Sequence, residues 1–226
     1  MYFAAVFLGL LPSLAATTSS AKRGLIDVAT ANSERDSSYF TSPSDLTWYY
    51  NYAATPSSLY TSVRSLQFVP QLWGLHTTSS FTDTVRSLIA SGTNVPYVLT
   101  FNEPDGPAST GGSSISPADA AAAWISQVEP LRTDGVMLGA PAVTGSPRGF
   151  VWLQDFFTAC AGKCTADFIP VHWYGNFEGL ASHIGQVRGN YQNKTIWVTE
   201  YALDHQSLKA SQEFYRLSAE FFDRIE

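Results

Sequence analysis

Two glutamates, each closing an apolar run, have the clearest capacity for chemistry in this chain. Pro96-Tyr97-Val98-Leu99-Thr100-Phe101 leads into Asn102-Glu103-Pro104-Asp105, and Thr195-Ile196-Trp197-Val198-Thr199 leads into Glu200-Tyr201. β-Branched and aromatic residues of this kind build a buried strand. A carboxylate at the mouth of such a strand is costly unless it is hydrogen-bonded or used. Two of them can divide the labour of glycoside hydrolysis, one as a protonated acid and one as an ionised nucleophile. A retaining mechanism of that type needs the carboxyls about 5–5.5 Å apart. Glu103 and Glu200 are 97 positions apart (200 − 103), so only a fold that gathers strand ends can pair them. Taken singly, each also reads as a structural ion pair or a strand-end cap. Their matching positions favour the catalytic reading.

The residues around them suit a sugar. Asn102 could hydrogen-bond a hydroxyl and strengthen that bond in the transition state. Trp73 closes Val69-Pro70-Gln71-Leu72-Trp73-Gly74, and His172, Trp173 and Tyr174 close another apolar run. Aromatic faces match the apolar faces of pyranose rings, so Trp73 and Tyr174 are read as substrate contacts. Trp48, Tyr49 and Trp173 are read as packing. His172 either orients a carboxylate or is a satisfied core histidine. No metal site is predicted, because His76, His172, His183 and His205 show no ligand spacing with acids. No cofactor is required.

Positioning these groups falls to alternating strands and helices. Strands are predicted at Gly24–Val28, Leu46–Tyr52, Leu66–Trp73, Val95–Phe101, Val136–Ala140, Phe168–Trp173 and Thr195–Tyr201. Helices are predicted at Ser80–Ala90, Pro117–Leu131, Gly149–Ala159, Leu180–Gly189 and Leu208–Ile225, the last with Phe214, Leu217, Phe221 and Ile225 on one face. Such alternation means a parallel sheet of the α/β class. An open doubly wound sheet would show a glycine-rich phosphate loop after its first strand, and none is present. Functional residues at the C-terminal ends of several strands point instead to a TIM-type (β/α)₈ barrel, of which seven strands are counted.

Composition sets the compartment. With 226 residues there is enough chain for one large domain. Charged residues make up only 14%, the net charge is −6 and no Lys/Arg cluster occurs, which excludes nucleic acid as a partner. Tyr2 to Leu11 is an apolar run followed by Ser13-Leu14-Ala15-Ala16, which reads as a secretory signal over residues 1–16 and is too short to span a bilayer. Residues 17–23 form a short pro-segment or linker, with Lys22-Arg23 either a dibasic processing site or an ordinary charged stretch. The domain then runs over 24–226. Secretion makes a disulfide the expected state of Cys160 and Cys164, and Asn193-Lys194-Thr195 is a glycosylation sequon. The mature protein is expected to be an extracellular monomer without membrane insertion.

Phe101-Asn102-Glu103-Pro104-Asp105, Val171-His172-Trp173-Tyr174-Gly175 and Trp197-Val198-Thr199-Glu200-Tyr201 resemble the fungal glycoside hydrolases of family 128, also described as the catalytic domain of alkali-sensitive-linkage cell-wall proteins. Trp48-Tyr49-Tyr50-Asn51-Tyr52, the segment ending at Trp73-Gly74 and Gly139-Ala140-Pro141-Ala142-Val143-Thr144 extend the likeness in the same order. The resemblance implies a barrel of the retaining glycosidase clan A and action on β-1,3-glucan with retention of configuration; an endo-β-1,3-glucanase is the reading adopted, with exo-action the other mode. By motif it makes Glu103 the acid/base and Glu200 the nucleophile, with Asn102, Trp73, His172 and Tyr174 lining the sugar site. Family members continue into an eighth strand that this sequence lacks, so the barrel domain is expected to be incomplete at its C-terminus, open between first and seventh strands, weakly stable or aggregation-prone, and of reduced or no activity. A non-hydrolytic glucan-binding cell-wall protein, or an inactive truncated homologue, is the alternative function.

Overall fold

The computed structural model describes residues 22–225 apart from 42–43, 61–62, 64 and 76–78. The predicted signal, most of the 17–23 segment and His76 lie outside the described residues. Seven strands follow in order: β1 (Gly24–Ile26), β2 (Trp48–Tyr50), β3 (Gln67–Phe68), β4 (Tyr97–Val98), β5 (Met137–Leu138), β6 (Phe168–Tyr174) and β7 (Thr195–Ala202). All their pairings are parallel. β1-β2-β3, β4-β5 and β6-β7 form three small sheets, and single bridges from Gln71 to Leu99 and from Gly139 to Phe168 carry the pairing on from one sheet to the next. Neighbours in sequence are therefore neighbours in space throughout.

Six helices connect them: α1 (Ser33–Thr41), α2 (Phe81–Ala90), α3 (Pro117–Gln127), α4 (Pro147–Cys160), α5 (Phe177–Asn190) and α6 (Leu208–Arg224). Five begin on a side-chain cap, with Ser80, Ser116, Ser146, Asn176 and Ser207 each accepting from the backbone N–H three residues on. Such caps satisfy an otherwise orphaned donor and contribute about 1 kcal/mol each. They also fix where each of these helices begins. The predicted helix to Leu131 ends instead at Gln127, and Glu129–Asp134 continues as a 3₁₀ helix. Pro130 has no N–H to extend the α-helical ladder there.

The buried residues form several clusters. Between strands and helices, Val98, Phe101, Trp124, Leu131, Leu153 and Phe156 are all buried. In a second, aromatic cluster, Trp197 packs on Phe168, Tyr97 and Trp48 with ring centroids 4.5, 4.9 and 5.0 Å apart. Among the described residues no ladder joins β7 to β1. Side chains cross that space: Tyr50 donates to the Thr199 carbonyl at 3.1 Å, and the end of α6 reaches β1 through an Arg23–Asp223 ion pair at 2.7 Å. Phe214 and Phe221 on α6, with Ile225 just past its end, pack with the α5 residues Leu180 and Ile184, but the second fully buried position of the helix is Ser218 rather than Leu217.

Cys160 and Cys164 form a disulfide, Cα atoms 5.5 Å apart, across the turn after α4. Asn193 is exposed on the turn between α5 and β7. Among the described residues no helix is long and apolar enough to cross a membrane.

Candidate active site

β6 and β7 are the longest strands, and one irregularity in their register matters. Val171 pairs with Val198, but the next residue, His172, pairs with Glu200, so Thr199 is passed over. A bulge of this sort re-aims side chains near a functional site. Here it sets His172 and Glu200 side by side, both buried. Glu103 arrives differently. The chain leaves the β4 ladder early, bridges Asn102 to Ala142, and places Glu103 in the left-handed region at φ 40°. That backbone is strained for a residue with a Cβ and persists only where its surroundings fix it. The Glu103 N–H donates to the Ala142 carbonyl at 2.7 Å, and the Glu103 carbonyl accepts from Gly106 at 2.8 Å. The following loop folds back onto this turn, with Ser113 donating to the Asn102 carbonyl and Ile115 to that of Pro104.

The three side chains meet. His172 Nδ1 lies 3.0 Å from Glu103 Oε1 and 3.4 Å from Glu200 Oε2. One oxygen of each carboxylate and the imidazole nitrogen are within 4.8 Å of one another. Glu200 also accepts from Tyr52 at 2.7 Å on Oε1 and from Tyr174 at 2.8 Å on Oε2, with the Tyr50 hydroxyl 3.5 Å from Oε1. Burial, reinforced by the charge of Glu200, holds the hydroxyls of Tyr50, Tyr52 and Tyr174 far above the usual tyrosine range. They stay protonated and act as donors. Glu200 is 6% exposed and Glu103 12%.

The pair opens into a cleft of about 880 Å³, large enough for a ligand of several rings. Its walls include the aromatic residues Trp73, Trp173 and Tyr174 and the polar residues Asn102, Thr110, Thr144, Ser146 and Asp204. Asn102 is buried; its amide donates to the Gly111 carbonyl at 3.0 Å, and its Oδ1 has no protein partner. All the predicted site residues, Glu103, Glu200, Asn102, Trp73, His172 and Tyr174, thus gather in one place.

Several were not foreseen. Tyr52 reaches the site because it too has positive φ, at 59°, which carries it past the end of β2 to the mouth. Nothing in the aromatic run Trp48–Tyr52 distinguishes it beforehand. Trp173 both packs, stacking on His183 at 5.4 Å, and lines the cleft. Glu103, His172 and Glu200 are also the described residues that could hold a cation, a ligand set assembled by the fold from positions with no spacing signal. A proton on His172 Nδ1 accounts for the same contacts.

Strand-end carboxylates on a parallel β/α scaffold, set in an aromatic cleft, define a class, and the comparisons agree with it. The chain matches the glycosyl hydrolase catalytic core over residues 26–226 and belongs to that family of glycoside hydrolases. It is 36% identical over 160 residues to alkali-sensitive linkage protein 1 of Schizosaccharomyces pombe, which is 70% of this chain but 27% of that protein; the chain spans about a quarter of this relative's length. Among solved structures, a GH128 (subgroup III) curdlan-specific exo-β-1,3-glucanase from Blastomyces gilchristii superposes with a TM-score of 0.75 at 30% identity, covering 90% of this chain and 85% of that one. A GH128 (subgroup I) endo-β-1,3-glucanase from Amycolatopsis mediterranei, in complex with laminaripentaose, gives a TM-score of 0.68 at 28% identity and covers 90% and 84%. Structures of that enzyme carry alanine in place of one or the other of two glutamates 97 positions apart, the interval that separates Glu103 from Glu200.

Proposed function

We propose that this chain is a secreted β-1,3-glucanase that hydrolyses its substrate with retention of configuration, on a TIM-type (β/α)₈ barrel of clan A to which the seven described strands belong. The observation that carries the mechanism is the approach of Glu103 and Glu200 to within 4.8 Å, oxygen to oxygen. Retaining enzymes hold their carboxyls about 5–5.5 Å apart, whereas inverting ones need about 6.5–9.5 Å to admit a water between carboxylate and sugar. The substrate class rests on the family and on neighbours described as β-1,3-glucanases.

The surroundings divide the roles. Glu200 takes a phenolic donor on each oxygen, which orients it and suits an ionised acceptor. It attacks the anomeric carbon as that carbon's bond to the leaving oxygen breaks. Glu103 gives its proton to that oxygen, then takes a proton from the water that attacks the glycosyl enzyme and frees Glu200. His172, between the two, holds both carboxylates in register. Trp73, Tyr174 and Asn102 contact the sugar.

The test is reducing-sugar release from laminarin by the purified chain, with the first-formed anomer followed by NMR on laminari-oligosaccharides. Hydrolysis with the β-anomer appearing first is expected, and Glu200→Gln should lose turnover by at least ~10³-fold while still binding glucan, because an amide cannot act as nucleophile. Binding without hydrolysis by the unaltered chain would instead establish the glucan-binding alternative, and an α-anomer first would overturn retention.

A further inference from the structure

We propose that Asp105 is a positioning residue for the acid/base step, a buried carboxylate that ties the strained turn carrying Glu103 to the loop after β5. Its side chain is 0% exposed. Oδ1 accepts from the Thr144 N–H at 2.8 Å and Oδ2 from the Thr144 hydroxyl at 2.5 Å. Thr144 Oγ1 in turn lies 2.8 Å from the hydroxyl of Ser146, the cap that starts α4. The nearest cation, Arg148, is 3.7 Å away and 65% exposed. A carboxylate buried against neutral donors is a costly choice of residue unless its two acceptor-only oxygens are needed.

The geometry shows what needs them. Backbone pairing between the ends of β4 and β5 stops at Glu103 N–H to Ala142 carbonyl. Two residues further on along each chain, Asp105 and Thr144 continue the link with a side chain. The strained residue at φ 40° is therefore held between a backbone bond at its own N–H and a two-point side-chain clamp two residues later. Because both oxygens of Asp105 only accept, they fix the direction of the Thr144 O–H, and a lone pair of Thr144 remains for Ser146. The same clamp sets the cleft wall, since Thr144 and Ser146 both line it. Loosening it should move Glu103 relative to the leaving oxygen while leaving Glu200, on the other half of the site, where it is.

This inference rests on Glu103 being the acid/base, so the experiment carries Glu103→Gln alongside. kcat/KM, which reports formation of the glycosyl enzyme, is measured on laminari-oligosaccharides and on a dinitrophenyl β-laminaribioside whose leaving group needs no proton. Displacement of a positioned group by about 1 Å costs on the order of 10²-fold, so Asp105→Ala should lose ~30–100-fold on oligosaccharide and no more than ~3-fold on the activated glycoside. Thr144→Val, which removes one of the two bonds, should show the same split at about 5–10-fold. If Glu103→Gln shows the split but Asp105→Ala falls equally on both substrates, or on neither, the clamp is refuted and the acid/base assignment stands. Should Glu103→Gln show no split, the assignment itself fails and the clamp with it. If Asp105→Ala does not fold, Thr144→Val decides by the same comparison.

Discussion

Glu103 and Glu200 lie within 4.8 Å of each other, yet they are held by opposite means. Glu200 sits in the longest strand, in register with His172, and is fixed by side chains that reach it from β6 and from the end of β2. Glu103 sits beyond a two-residue strand, in left-handed backbone, and is fixed mainly by main-chain bonds and a loop folded over its turn. In the roles proposed above, Glu200 as nucleophile would present one charged atom along one line, which rigid donors on both oxygens supply. Glu103 as acid/base would serve a leaving group and later a water, and a turn set by its neighbours places it without saturating it. The two halves should therefore fail differently when disturbed.

The largest difference is expected from Gly112. A Cβ at this position would lie 2.5 Å from the Gly106 carbonyl oxygen and 2.7 Å from that of Glu103, both backbone atoms that cannot swing aside. Gly112→Ala must push the Glu103 turn out of place. A shift of about 1 Å should cost on the order of 10²-fold in kcat/KM on oligosaccharides, and far less on an activated aryl glycoside. Equal losses on both substrates would mean that the loop supports the whole site rather than its acid half.

The other half gives the converse. Tyr52→Phe and Tyr174→Phe each remove one O–H donor from Glu200 and leave the ring. Hydrogen bonds to a charged group are worth about 1.5–3 kcal/mol, so each variant should lose roughly 10–100-fold in kcat/KM. That loss should be the same whatever the leaving group, since both substrates need the nucleophile. A leaving-group dependence here would erase the contrast between the two glutamates.

The contrast also explains what could be read from sequence. β6 and β7 run as long, mostly apolar segments, β6 buried over most of its length and β7 half-buried, and their predicted bounds fall within a residue of those observed. β3, β4 and β5 shrink to two residues each, because the chain leaves the ladder early to build the turns that carry Gln71, Asn102 and Ala142. α1 was not predicted: Ser-Glu-Arg-Asp-Ser-Ser-Tyr-Phe-Thr has no apolar stripe to announce it. Glu103, Glu200, His172, Trp73, Tyr174 and Asn102 were legible because strand-end chemistry and the family motifs mark them. Tyr52 was not, because a positive φ brings it in, and Asp105 was not, because its partners lie 39 positions away on another loop. Position along a strand is written locally; the bonds that trim that position are not.

The smallest effect concerns the wall behind the Glu200 half. His183, on α5, is buried between Trp173 and Phe150, with ring centroids 5.4 Å away in each case. Burial lowers its pKa below the usual 6.5, so the folded protein keeps the ring neutral where the unfolded chain would protonate it. Stability from this group is complete above about pH 6.5 and is lost as pH falls toward the folded-state value, because there the unfolded state binds more protons. His183→Leu removes that dependence while keeping an apolar ring neighbour for Trp173. The Tm of the unaltered chain should therefore fall relative to that of the variant between pH 7 and pH 5, at about 2–4 °C for each kcal/mol of linkage in a domain of this size. Activity of the variant at pH 7 should change far less than in the tyrosine or Gly112 variants, since Trp173 is a wall of the cleft and not a ligand of either glutamate. Melting curves that shift in parallel with pH for both proteins would show that protonation of His183 is not what loosens this side of the cleft.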